Sequence, residues 1–143
     1  MFVKQLSVFI ENRAGRLDEV LDVLKNENIN IISLSLADTS DYGMLRLIVS
    51  DPQKGQTALK EKGISAKLTD ILVVKLPHQV GQLQKILAVI CRESINIEYM
   101  YSLSTGTDDA SIAMKCGNME QAEALLEADK DVKLMSDADI ANL

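Results

Sequence analysis

The feature that most restricts this chain is an internal repeat at a constant offset. Gly15 and Gly81 stand 66 positions apart, and so do Leu17 and Leu83. The stretch Asn12, Arg13, Ala14, Gly15, Arg16, Leu17 returns as His78, Gln79, Val80, Gly81, Gln82, Leu83. Ile29, Asn30 and Ile31 return as Ile95, Asn96 and Ile97. Of the twenty residues from 12 to 31, eight are identical in the second copy without a gap: Gly15, Leu17, Leu21, Val23, Glu27, Ile29, Asn30 and Ile31. Self-similarity at this period points to two structural units of one kind. Each is small enough to bury only a modest share of its surface, so packing of the copies, dimerisation, or both are expected.

The period of the apolar residues assigns the elements. Residues 2–10 read as a strand ending in the apolar run Val8, Phe9, Ile10, and residues 12–15 as a turn. Residues 16–28 read as a helix, with Leu17, Val20, Leu21 and Leu24 as its apolar stripe. Its first turn carries Asp18 and Glu19, where free amides favour acid. Residues 29–37 read as a strand with Ile32, Leu34 and Leu36 on one side and Ser33 and Ser35 on the other. A turn at 38–42 and a strand at 43–49 complete a hairpin. Ser50, Asp51 and Pro52 open a second helix, which Gly55 interrupts and Gly63 ends. Short strands at 64–69 and 71–76 are expected on either side of Asp70.

The second copy repeats this order: strand 71–76, turn 77–81, helix 82–93, strand 95–103, turn 104–109, strand 110–116, helix 119–128 and strand 132–135. The reading is α+β: two ferredoxin-like βαββαβ repeats, each a four-stranded antiparallel sheet with two helices on one face. The expected domains are 1–69 and 70–136, followed by a tail at 137–143 that either folds as a short helical turn or stays loose. Met44 and Ile48 make the helix-free side of the middle hairpin apolar as well, so that side is expected to be covered.

Composition narrows the function. Apolar residues make up 47% of the chain, with no Trp and two Phe, which leaves no aromatic platform for single strands. The net charge is -6, and neither copy has a basic stripe, so neither nucleic acid nor a phosphate backbone is an expected partner. No apolar run has the length of a membrane span, and the first residues do not read as a signal peptide. Cys91 and Cys116 are not at metal-ligand spacing and read as small buried hydrophobes in a reducing cytoplasm. His78, the one histidine, has only Gln79 and Gln82 nearby, which is no proton relay. The chain offers no phosphate loop, nucleophile elbow or paired metal ligands. No catalytic residue, metal or cofactor is therefore expected. Arg46 sits in an apolar strand and needs a partner or water. Tyr99 and Tyr101 share a strand face and read as packing or as pocket lining.

A four-stranded, two-helix unit with a polar-x-x-Gly-x-Leu turn after its first strand, followed by Ile-Asn-Ile at the start of its second, resembles the ACT domain. That domain is a small ligand-binding regulatory unit attached to many enzymes of amino-acid metabolism. The resemblance covers both copies, so the chain resembles a stand-alone tandem ACT protein. It implies a joined sheet with a free amino acid held between paired domains near the first turn. Carried onto this chain, it implies a first site of Asn12, Arg13, Ala14, Gly15 and Leu17, with Asn30, Ile31 and Ile32 from a facing element. The second would use His78, Gln79, Val80, Gly81 and Leu83, with Asn96, Ile97 and Glu98. The second turn departs from the first in having Pro77 and His78 where the first has Glu11 and Asn12. The implied function is a non-catalytic regulator that binds a small effector, an amino acid, as a homodimer, and acts on an enzyme of amino-acid metabolism. The alternative is a regulatory subunit that binds its enzyme without any small ligand. For Gly15 and Gly81 two roles stand: shaping the turn alone, or shaping it and admitting a ligand.

Overall fold

A computed structural model describes residues 1–38, 41–103 and 109–143, with Asp38 through its backbone alone. The chain divides into two compact units. One comprises Lys4–Thr69 with Asn142; the other comprises Met1–Val3, Asp70–Ala141 and Leu143.

In the first unit the elements are β1 (Val3–Glu11), α1 (Arg16–Asn26), β2 (Ile31–Asp38), β3 (Tyr42–Val49), α2 (Pro52–Glu61) and the first part of β4 (Ala66–Pro77). The strands lie in the order β2-β3-β1-β4. This is the order that two crossovers through helices on one face produce. Antiparallel register puts Leu6 opposite Leu47 and Val8 opposite Leu45. These four residues form one core with Val20, Leu24, Val49 and Leu59. At the β4 side, the Phe9 N–H donates to the Ser65 carbonyl (3.1 Å), and the Ser7 and Thr69 hydroxyls lie 2.9 Å apart.

The second unit continues with the rest of β4, then α3 (Gln82–Arg92), β5 (Ile97–Leu103), β6 (Asp109–Cys116), α4 (Met119–Glu127), β7 (Lys133–Leu134) and α5 (Asp137–Ala141). Its pairings give β5-β6-β4-β7, the same order. Its core holds Leu72, Val74, Leu76, Ile86, Ile90, Ile112, Met114 and Leu126. The duplicated ferredoxin-like topology read from the repeat is therefore the observed one.

Several details differ from the expectation. The two short strands around Asp70 are one strand of twelve residues. Between Ala66 and Leu76 there is neither glycine nor proline to turn the chain, and β-branched residues favour extension. Gly55 does not weaken α2 but is buried inside it. A Cβ at position 55 would lie 2.8 Å from Leu6 Cδ1 and 3.3 Å from Leu24 Cδ2, so the missing side chain lets α2 approach β1 and α1. Asp51 caps this helix, accepting from the Lys54 N–H (3.1 Å).

The tail is helical. The Ser136 N–H donates to Asp139 Oδ2 (2.8 Å), and the Asp139 N–H donates to Ser136 Oγ (3.2 Å). This is a reciprocal cap, and Ile140 is buried behind it. Cys91 is exposed, against expectation, while Cys116 is buried. Cys91 is the counterpart of Lys25, which is also exposed. Burial raises the Cys116 thiol above its ordinary range, and the charge of Glu98 adds to this.

The helix-free sides are covered only in part. Gln5, Ile48, Ile71, Val73, Ser111 and Ala113 are buried, whereas Phe9 and Tyr42 are exposed and stack on each other at 4.8 Å. Arg46 is half-buried on that side, in register with Ser7 and Ser35. Tyr99 and Tyr101 are half-buried opposite Lys115 and Ala113. Of the expected turns at 38–42 and 104–109, Asp38 and Tyr42 belong to β2 and β3 and Asp109 to β6, while 39–40 and 104–108 lie outside the described residues.

Two outcomes follow. Gly55→Val should cost about 1–3 kcal/mol through overpacking, read from urea unfolding. The Asp139 carboxyl is held below its ordinary value of 3.8, first by hydrogen bonds from Ser136. A depressed folded-state pKa contributes stability that is present above the ordinary value and lost as pH falls through the folded one. Protection factors for the amides of residues 137–141, each referenced to the intrinsic exchange rate at the same pH, should therefore fall on acidification below that value, and in Asp139→Asn they should no longer change with pH.

Candidate functional site

The turn between β1 and α1 is built by one residue in an unusual conformation. Gly15 has φ +87° and stands at the N-terminal boundary of α1, with no side chain capping the helix. Gly81 has φ +85° at the start of α3, again without a side-chain cap. Left-handed backbone of this kind suits glycine. A Cβ at either position would meet nothing within 4 Å, so the requirement is conformational and the space above each glycine is open.

The hydrogen bonds of the two turns repeat at the offset of 66. The Arg13 N–H donates to Glu11 O and the Gln79 N–H to Pro77 O. The Arg16 N–H donates to Arg13 O and the Gln82 N–H to Gln79 O. The Glu19 N–H donates to Gly15 O and the Lys85 N–H to Gly81 O. Each turn thus presents an uncapped first helical turn toward open space. Free amides and the helix dipole make such an end complementary to a carboxylate.

The backbone is shared, but the charge is not. At the first turn Arg13 Nε bonds Glu11 Oε2 (2.7 Å) and Arg16 Nη1 bonds Glu19 Oε2 (2.5 Å). The bond from Arg13 holds the Glu11 carboxyl below its ordinary range, helped by the charges of Arg13 and Arg16. At the second turn the counterparts are Pro77, Gln79, Gln82 and Lys85. There Lys85 reaches away to Asp131 (3.0 Å), and that bond raises its pKa. Val80 is fully exposed and Leu83 is 37% exposed, while Leu17 packs against the first core. His78 and Gln79 are exposed, as are Asn12, Arg13 and Ala14.

The second group of residues also has a repeated geometry. Asn28 and Ser94 both have φ +57°, which turns the chain out of each helix. The Asn30 N–H donates to Ser50 Oγ (2.9 Å), and the Ser50 N–H donates to Asn30 O (2.9 Å). Asn96 O accepts from the Gly117 N–H (2.8 Å). Both asparagines thus fix the chain at the start of β2 or β5 through their backbones. The register then slips between Ile31 and Ser33, and again between Ile97 and Tyr99. Ile32 and Glu98 are therefore the extra residues of two equivalent bulges, which re-aim side chains. A cleft of about 370 Å³ lies here, lined by Leu21, Lys25, Asn28, Ile29, Asn30 and Ile31.

Within one unit these two groups are not neighbours. The Asn12 N–H donates to the Asp41 carbonyl (2.9 Å), at the hairpin end of β2 and β3, whereas Ile31 pairs with Val49 at the other end. A strand the length of β2 spans roughly 25 Å. The unit alone does not bring Gly15 to Asn30, nor Gly81 to Asn96.

Arg16 and Gln82 were not among the expected contacts. They are counterparts at the first helical position, and each places a polar atom out of solvent without a partner: Arg16 Nε and Gln82 Oε1. The offset that pairs Gly15 with Gly81 also pairs these two, which is the signal that could have found them. Among the described residues no group of side chains could hold a metal ion, and no helix is long and apolar enough to cross a membrane.

A duplicated ferredoxin-like unit with a glycine turn at the start of its first helix is the pattern of a class of small regulatory modules. The chain belongs to the ACT family: the model for an ACT domain pair matches residues 1–143. That family is characteristically non-catalytic, and this chain is a regulatory protein of that kind. A Bacteroides thetaiotaomicron protein of known crystal structure is similar at 40% identity, with a TM-score of 0.92, covering 100% of this chain and 98% of that one. The regulatory subunit of aspartate kinase from Thermus thermophilus shares the fold at 19% identity, with a TM-score of 0.63 over 87% of this chain and 88% of its own. The corresponding Thermus flavus subunit does so at 23% identity and a TM-score of 0.61, with the same coverage of both chains. No curated protein matches the chain.

Because the space around each glycine is open, Gly15→Ala and Gly81→Ala should each cost about 1–2 kcal/mol, the penalty of a left-handed L-residue. Urea unfolding of the two variants should give closely similar losses.

Proposed function

We propose that the protein binds a free amino acid at the first turn and thereby regulates an enzyme of amino-acid metabolism. The observation that carries this reading is the uncapped start of α1 beneath an open, left-handed Gly15. A ligand carboxylate satisfies such amides, and Arg13 and Arg16 flank the position, each paired there with an acid, Glu11 or Glu19. Asn12, Ala14 and Leu17 complete that side of the site. Asn30, Ile31 and Ile32 belong to the facing side, which comes from outside the same unit. The second turn, with His78, Gln79, Val80, Gly81 and Leu83, faces Asn96, Ile97 and Glu98 in the same way. It lacks the arginines and takes a less anionic ligand or none. The family match supports a regulatory role, and the aspartate kinase regulatory subunits that share the fold make a metabolic enzyme the natural partner.

A second reading is favoured by Val80 alone. A fully exposed valine beside a half-exposed Leu83 suits a protein contact, as in a subunit that docks on its enzyme without a small ligand.

A thermal-shift series with the twenty amino acids separates the two, because any ligand of the native state raises its melting temperature. One class of amino acid should give a shift that Gly15→Val abolishes and Gly81→Val retains, both variants being folded by circular dichroism. No shift at millimolar ligand would sink the amino-acid reading and leave the docking one.

A further inference from the structure

The helix-free side of the second unit carries a row of three donors that neither turn uses. Lys75 on β4 stands opposite Ser111 on β6 and opposite Lys133 on β7. Residues directly opposite in a ladder point to the same side of the sheet. Their chain neighbours Val74, Ile112 and Leu134 belong to the core, so the three point away from the helices. Like charges directly opposite each other are destabilising. Lys75 Nζ lies 3.8 Å from Asp109 Oδ2, beyond hydrogen-bonding range. Lys133 has no hydrogen bond or ion pair of its own among the described residues. Ser111 is 1% exposed, and its Oγ has no partner among them. Two nearby acids are engaged elsewhere. Asp131 accepts from Lys85 (3.0 Å), and Asp139 accepts from the Ser136 N–H and hydroxyl (2.8 and 3.0 Å). The row borders a cleft of about 260 Å³, lined by Lys75, Leu76, Pro77, Asp109, Asp131 and Lys133.

The first unit shows that this row is not a demand of the fold. Phe9 pairs with Met44 as Lys75 pairs with Ser111, and Glu11 pairs with Tyr42 as Pro77 pairs with Asp109. Where the second unit has Lys75 and Asp109, the first has the stacked rings of Phe9 and Tyr42. Where the second has Ser111, the first has Met44. The same backbone thus folds with an apolar set at this place.

We propose that the second unit binds a small oxyanion, a carboxylate or a phosphate group, between Lys75 and Lys133, with the Ser111 hydroxyl donating to it from the sheet. Two facing ammonium groups and a buried unpaired hydroxyl are each unfavourable without an acceptor, and one anion satisfies all three. Charge-assisted bonds of this kind are the strong ones. Asp109 and Asp131 in the same cleft disfavour a second negative group on the ligand. The inference is independent of whether either turn holds a ligand.

Amide chemical shifts of the full chain, followed while sodium phosphate or sodium acetate replaces chloride at constant ionic strength, test it. With at least one of the two anions, the signals of residues 74–76, 110–112 and 132–134 should shift and saturate. Saturation with phosphate alone identifies a phosphorylated ligand, with acetate alone a carboxylic acid, and with both a site for either group. Ser111→Ala should weaken the fitted affinity about tenfold, and Lys133→Gln by at least as much, with the remaining signals in place. Lys60→Gln removes the same charge from the last turn of α2 and should leave the affinity unchanged. Saturation with neither anion, an affinity that survives Ser111→Ala or Lys133→Gln, or an equal loss in Lys60→Gln would overturn the proposal.

Discussion

The constraint on which this structure turns is the conformation of two residues. After β1 the chain must stop, reverse and begin a helix within four residues. It does so through Gly15 at φ +87°, a backbone that side-chain-bearing residues adopt only with strain. Because the glycine itself bounds α1, no serine, threonine or aspartate stands there to satisfy the helix amides. One conformational demand therefore both permits the crossover and leaves the helix start without a side-chain cap. The same device recurs at Gly81. Fold and candidate site have a single physical origin.

The rest of each unit follows from amphipathicity. The stripe of α1 and the alternate residues of β1 and β3 meet in one core, and Gly55 lets α2 close on Leu6 without a gap. The second unit does the same with different residues. It has Ile86 and Ile90 where the first has Val20 and Leu24, and both pairs are buried. Volume is conserved in kind rather than in identity, and cores tolerate such exchange.

The repeat made most of the fold legible in the sequence: the order of elements, the two turns and the paired glycines follow from an offset of 66 applied to residues 12–31. Other features depend on pairing in space, and the sequence is silent there. Nothing in Ile31, Ile32 and Ser33 announces a bulge, because a bulge is a mismatch between two strands. The alternation of Leu34 and Leu36 tells which side they occupy but not how far the helices extend over them. Cys91 follows Ile90 and so looked buried, although its counterpart Lys25 already marked the position as a solvent one. The burial of Arg16 Nε and Gln82 Oε1 depends on side-chain rotamers that no spacing rule fixes.

The two bulges have a consequence of another kind. Ile32 and Glu98 sit at the same point of the same irregular backbone, one apolar and one charged, and Arg16 and Gln82 stand in the same relation at the helix starts. The molecule thus contains two versions of one scaffold in which backbone is held constant and chemistry is varied. Each half is an internal control for the other. A side chain moved from one copy to its counterpart enters a conformation that the chain already supports. Differences in behaviour between the halves can therefore be traced to a few atoms rather than to the fold.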